Sequence, residues 1–167
     1  MVITLLRLWR HLWTALFPVR AAMSPAVRAA ITQEIAVAEG RHAGEIRFAI
    51  EQALSVSKLF RGVTARQRAL AMFAQLGVWD TENNNGVLIY VLLADHCVEL
   101  VADRGIAARV PEAEWRLLCG EVEALFRRED YLDASQAAVR GVARCLAQHF
   151  PAAGPDRDEL PNQPILL

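Results

Sequence analysis

The ten residues "GVLIYVLLAD", 86–95, constrain this chain more than any other stretch. They form an almost unbroken apolar run rich in branched side chains, with no polar face for an amphipathic helix to turn outward. Such a run suits a central strand covered on both faces. A strand buried on both sides commits the chain to layers above and below it. The remaining periodicities have to supply those layers.

Ser24-Pro25 pairs an N-cap residue with a proline at the first helical position, and predicts a helix burying Val27, Ile31, Ile35 and Ala38 that stops near Gly40. "GEIRFAIEQAL" alternates Ile46, Phe48 and Ile50 against Glu45, Arg47 and Glu51, the pattern of a half-exposed strand. Thr64 and Gln67 make a capping box, opening a helix with Ala69, Met72, Phe73 and Leu76 inward. Asp95-His96 reads as a short turn into a third strand, "CVELVAD". Pro111 starts a helix burying Trp115, Leu118 and Val122, and another begins around Asp133 and buries Val139, Val142 and Leu146. The fold expected is α/β: an α/β/α sandwich with a small mixed sheet, made of a parallel crossover plus an antiparallel hairpin, flanked by about four helices.

The first seventeen residues, "MVITLLRLWRHLWTALF", stand apart from that domain. At 100° per residue, Leu5, Leu6, Leu8, Trp9, Leu12, Trp13, Leu16 and Phe17 fill one half of the helical wheel, and Arg7, Arg10, His11 and Thr14 fill the opposite arc. Arg7, Arg10 and His11 interrupt any secretory h-region, and nothing approaches the roughly 20 apolar residues of a spanning helix. Three readings stay open: a helix lying on an anionic membrane surface, a helix docked on a partner or on its own domain, or an atypical secretion signal with a "VRA" cleavage site at Val19–Ala21. Trp9, Trp13, Leu12, Leu16, Arg7 and Arg10 are the candidate membrane or partner contacts. Residues 18–24 read as a linker, 25–151 as the α/β domain and 152–167 as an extended tail with proline punctuation. The expected location is cytoplasmic, with the helix allowing peripheral membrane association; export through the atypical signal is the alternative.

Composition excludes some partners. A net charge of −1, with no basic stripe in the core region, gives no field to attract nucleic acid. The three cysteines, Cys97, Cys119 and Cys145, form no CxxC and no metal-ligand spacing, so they read as small buried hydrophobes. The chain lacks a GxSxG elbow, a P-loop, an HExxH helix and a GxGxxG turn.

The polar stretch "WDTENNNG" before the central strand raises the functional question. With Asp95-His96 as the turn, Leu93 should face Val98, Tyr90 should face Val101, and Gly86 should face Gly105. Residues 41–45, 79–86 and 102–106 would then crowd one end of the sheet. They bring candidate cation ligands Asp80, Glu82, Asn84 and Asp103 together with candidate ligand-binding residues Arg104, His42 and Asn85. Carboxylates and amide carbonyls are hard oxygen donors of the kind Ca²⁺ or Mg²⁺ prefers, and Arg104 suits an anionic oxygen. The same asparagines also serve as plain turn formers, because Asn tolerates left-handed backbone angles. His42 has no second histidine in its loop, which favours a solvated or core-satisfied ring over a ligand. With no marked nucleophile, hydrolysis would need a metal-activated water.

"GEIRFAIE", "VWDTENNNGVLIYVLLAD", "VELVADRGI" and "HFP", in that order, resemble the TPM domain over about residues 25–151. That family is named for a thylakoid-lumen phosphatase, a photosystem II repair protein and a modulator of acetylcholine receptors. The tail "DELPNQPILL" is similar to that of a bacterial branch, and "ADRGI" stands where the family usually carries a threonine-glycine-x-glycine turn. The resemblance implies the α/β/α sandwich, divalent-metal binding in some members, weak acid phosphatase activity in a few, and assembly or maintenance of membrane complexes in others. The expectation is therefore a binding and maintenance module. The alternative is a metal-dependent phosphatase acting on phosphate monoesters, with Asp80, Glu82 and Asp103 as ligands and Arg104 on the phosphate.

Overall fold

The computed structural model describes residues 5–17, 22, 24–152 and 159–167. Most of the expected linker, the "VRA" sequence and residues 153–158 of the tail lie outside the described residues. The central run does form a strand, β2 (Gly86–Leu92), with every residue buried. On one side it pairs in parallel with β1 (Glu45–Glu51), and on the other it pairs antiparallel with β3 (Cys97–Ala102). A two-residue strand, β4 (Ile165–Leu166), extends β1 in parallel, giving the order β3-β2-β1-β4.

Helices cover both faces, as a doubly buried strand demands. Phe48, Ile89, Val91 and Leu100 pack with α2 (Pro25–Glu39), α6 (Glu112–Arg127) and α7 (Tyr131–His149). Leu88, Tyr90, Leu92 and Val101 pack on the other face with α3 (Val56–Phe60), α4 (Ala65–Gln75) and Leu160. A short α5 (Arg104–Ala107) follows β3. The caps work as their residue types dictate. Ser24 Oγ accepts the Val27 amide at 3.3 Å, and Thr64 and Gln67 exchange side-chain and main-chain bonds at 3.1 and 3.0 Å.

Two expectations need correction. The hairpin register is displaced by two residues: Val91 faces Val98, Leu88 faces Val101, and Val87 faces Ala102. The connection is a 3₁₀ turn, Leu93–Asp95, closed by His96 in the left-handed region at φ 50°, so the turn consumes residues assigned to the strands. A shift of two keeps each side chain on its face, and the core is unchanged. The second correction concerns β1, which is buried along its whole length rather than half-exposed. Its charged face lies beneath the C-terminal segment and against buried partners. Arg47 donates to the carbonyls of Pro161 and Gln163. Glu51 accepts from Tyr90 at 2.8 Å and from Arg68 at 2.6 Å.

The N-terminal helix α1 (Leu5–Leu16) docks on the domain with its polar face inward. Arg7 and Arg10 both bind the Asp95 carboxylate, Arg7 at 2.9 Å. His11 is 1% exposed: its Nδ1 accepts the Leu54 amide at 3.0 Å, and its Nε2 lies 3.1 Å from Asp95 Oδ1. The Leu54 bond places the proton of the neutral ring on Nε2, facing the carboxylate. Gln52 adds a bond to the Thr14 carbonyl at 2.6 Å.

Candidate functional site

Parallel pairing fixes where the loops meet, because β1 and β2 both begin at one end of the sheet and β3 ends there. The Glu45 amide donates to Asn85 O at 3.0 Å, and the Asp103 amide donates to Gly86 O at 2.8 Å. Asn85 Nδ2 donates to Ala43 O. Arg104 Nε reaches Asn84 Oδ1 at 2.8 Å. The three loops therefore share one rim.

Turn chemistry accounts for part of this rim. Asn84 sits at φ 52°, the left-handed region that asparagine tolerates better than most residues. Thr81 Oγ1 accepts the Asn85 amide at 3.0 Å, closing the loop. Asp103 caps α5 by accepting the Arg104 amide at 2.7 Å. Gly105 is required by close approach, since a Cβ there would stand 2.6 Å from Asn84 O and 3.1 Å from Asn83 O.

Two oxygens are left over. Asn85 is 1% exposed and Asp103 is 8% exposed, and Asn85 Oδ1 and Asp103 Oδ2 have no hydrogen-bond partner. A buried acceptor without a donor costs about 1–3 kcal/mol, more when charged, so each of these oxygens calls for a donor or a cation. Asp80 and Glu82 are exposed, and the Glu82 amide binds the carboxylate of Glu159 at 3.1 Å. His42 is buried at the edge of the rim and accepts the Gly44 amide at 3.3 Å. Among the described residues no group of three or more His, Cys, Asp or Glu could hold a metal. A cation at this rim would rest on Asn85 Oδ1, Asp103 Oδ2, main-chain carbonyls and water, a mixed oxygen set that calcium accepts and that magnesium, with its strict octahedron, accepts less readily.

The candidate contacts of α1 divide by face. Arg7 and Arg10 are committed to Asp95, while Trp9, Trp13 and Leu16 stand 63%, 53% and 73% exposed, with Leu12 more enclosed. Burial alone would raise the Asp95 carboxyl, but the hydrogen bonds of His11 and Arg7, with the Arg7 charge, outweigh it and hold the group well below the usual carboxylate range. Two residues of these sites escaped sequence reasoning. Asp95 looked like turn punctuation, and Glu159 lies in a stretch without periodicity. The one available signal for Asp95 was a lone acid facing a helix with three basic side chains on one arc.

A small mixed sheet between helical layers, with asparagine and aspartate oxygens gathered where the central strand begins, defines the class of this molecule. A family model described as the TPM domain matches residues 20–145, and the chain belongs to that family. Its structure is similar to the NMR structure of the BA42 protein from the psychrophilic bacterium Bizionia argentinensis, at 27% identity and a TM-score of 0.75, over 86% of this chain and 94% of that one. No curated protein matches the sequence. No helix among the described residues is long and apolar enough to cross a membrane.

Proposed function

We propose that this TPM domain is a binding module seated on a membrane surface by α1, with the rim at the opposite end of the sheet taking up a divalent cation or a polar group of a partner. One observation carries the reading: α1 is bound to its own domain through its polar face, so the apolar arc, apart from Leu8 on the core, is turned away from the protein. Water-exposed Leu5, Leu6, Trp9, Trp13, Leu16 and Phe17 form a continuous ridge. Ridges of that size are uncommon on a protein that meets only water. Two indoles beside aliphatic side chains suit the level of lipid headgroups, where an apolar ring body and an N–H are both satisfied. The neighbouring α3 adds exposed Val56 and Phe60.

Asp95 marks the end of the sheet that α1 covers, and Asn85 and Asp103 mark the other. Seven strand residues at about 3.3 Å each separate them by roughly 23 Å. A membrane at α1 would leave the rim facing the aqueous side. Hydrolysis of phosphate monoesters is the second reading, resting on Arg104 beside Asp103. It ranks lower because the Arg104 guanidinium already donates to Asn84.

The test uses exposed side chains, so the fold is not disturbed. Full-length protein is sedimented with vesicles of phosphatidylcholine and phosphatidylglycerol, alongside a Trp9→Ser, Trp13→Ser double variant. The wild type should pellet with the vesicles and show a blue shift in tryptophan emission, and the double variant should stay in the supernatant. Equal sedimentation of the two would refute the anchor.

A further inference from the structure

We propose that the edge of β1 away from β2 is a binding site for an extended peptide segment. In this structure the chain's own residues 159–167 occupy it, and a partner segment of the same chemistry (a leucine, two spaced prolines, then an apolar pair) replaces them. This does not depend on membrane binding or on a cation at the rim.

The contacts are mostly to main chain. The Glu45 carboxylate accepts the amides of Glu159 and Leu160 at 3.3 and 3.2 Å. Arg47, two residues on and on the same face of the strand, donates to the carbonyls of Pro161 and Gln163. Leu167 then enters the ladder, its amide on Ile50 O at 2.9 Å and its carbonyl accepting the Gln52 amide at 3.5 Å. Recognition of N–H and C=O groups on a sheet edge is tolerant of sequence, with a few side-chain pockets setting preference. Here those are the buried seat of Leu160 and a bond from Asn162 to Glu39 at 2.9 Å.

With the segment in place Glu45 and Arg47 are 3% and 7% exposed, and both spend their polar atoms on its main chain. The segment's own hold on the ladder is short. The segment now there contributes only two residues of strand, against the usual three to ten. Leu166 and Leu167 remain 40% and 41% exposed, and Leu160 is its one buried apolar side chain among residues 159–167. Pro161 and Pro164 cannot donate to the ladder, which confines the segment to an edge.

Two measurements on the full chain decide the matter. In native-state hydrogen exchange, the Leu160 and Leu167 amides should exchange at least about a hundredfold faster than those of Ile89 and Val91, through local release of the segment. Equal rates, meaning that the segment leaves only when the whole domain unfolds, would overturn the proposal. In the second, a labelled synthetic peptide ELPNQPILL is titrated into wild type and into Leu160→Ser. Intramolecular competition at roughly millimolar effective concentration should make the peptide bind the variant at least about tenfold more tightly than the wild type. A peptide N-methylated at its first leucine, the counterpart of Leu160 and so unable to donate that amide to Glu45, should lose that gain. A folded variant that binds neither peptide, or binds both equally, would also overturn it. If Leu160→Ser does not fold, the exchange rates of the wild type decide alone.

Discussion

Asp95 and His11 meet 3.1 Å apart at the tip of the β2–β3 turn, one from the domain and one from the N-terminal helix, with Arg7 closing on the same carboxylate at 2.9 Å. Removing the acid strands two cations and a buried ring. Asp95→Ala should cost about 2 kcal/mol, between the small worth of an exposed ion pair and the penalty for breaking a buried one. Because the folded-state pKa of Asp95 is depressed, its contribution is present above the unfolded carboxyl value of about 4 and is lost as the pH falls through the folded value. Thermal melts from pH 7 down to pH 2 should show wild type and variant converging in acid.

Glu51 is the second buried acid whose partners define it. Tyr90, Arg68 and Lys58 approach it at 2.8, 2.6 and 3.5 Å. Tyr90→Phe removes one neutral donor and should cost about 1 kcal/mol. Glu51→Gln leaves Arg68 buried without its counter-ion and should cost about 3 kcal/mol. Burial, then the charge and hydrogen bond of Glu51, push the Tyr90 phenol far above its ordinary value. With the folded value raised, that stability is intact below pH 10 and is lost as the pH rises further. The Tyr90 share of tyrosinate absorbance, taken as the difference between wild type and Tyr90→Phe, should therefore appear together with alkaline unfolding rather than before it.

Calcium gives the rim its direct test. If Asn85 Oδ1 and Asp103 Oδ2 bind the ion, a calcium concentration 100 times the dissociation constant should stabilise the fold by about 2.7 kcal/mol, read as a rise in Tm. Asp103→Asn should reduce that rise sharply while keeping the α5 cap, since an asparagine oxygen still accepts the Arg104 amide. Glu82→Gln, on an exposed side chain, should change it little. An unmoved Tm in the wild type would count against the cation and leave the turn reading.

The thiols offer a check on burial. Burial first, then the charges of Glu99 and Glu123, push Cys97 up to about 12, and burial with Glu99 pushes Cys119 up to about 11. Thiolate is the reactive form, so Cys97 and Cys119 in native protein at pH 8 should alkylate with iodoacetamide at least about a hundredfold more slowly than a free cysteine, read site by site by peptide mapping. Labelling in urea should be fast. Rapid native labelling of Cys97 would contradict the packing described at β3.

What could be read from the chain alone divides by distance along it. Caps at Ser24 and Thr64, the unbroken apolar run of β2 and the helical faces of Trp115 and Val139 are local signals, and the structure carries them as expected. The crowding of residues 84–86 and 103–105 also followed from topology, even though the register was two residues out. That shift cancelled because both partners kept their faces, and it arose from His96 taking a left-handed angle that a His-Cys sequence does not announce. Misreading β1 as half-exposed had another cause. Glu45 and Arg47 alternate like a solvent face, yet their partners lie more than a hundred residues downstream, where no periodicity points back to them. The orientation of α1 was illegible for a similar reason: only the placement of Asp95 decides that its basic arc turns inward.

A helix tied to its domain partly by charge, with its apolar side chains left exposed, responds to ionic strength with two opposite signs. Salt screens the Arg10–Asp95 contact, whose arginine is partly exposed, and at the same time strengthens the withdrawal of Trp9 and Trp13 from water. On the membrane-seated reading, concentrated salt keeps the protein on a vesicle and loosens only the Arg10 end of the joint, since His11 on the Leu54 amide and Gln52 on the Thr14 carbonyl do not depend on screened charge.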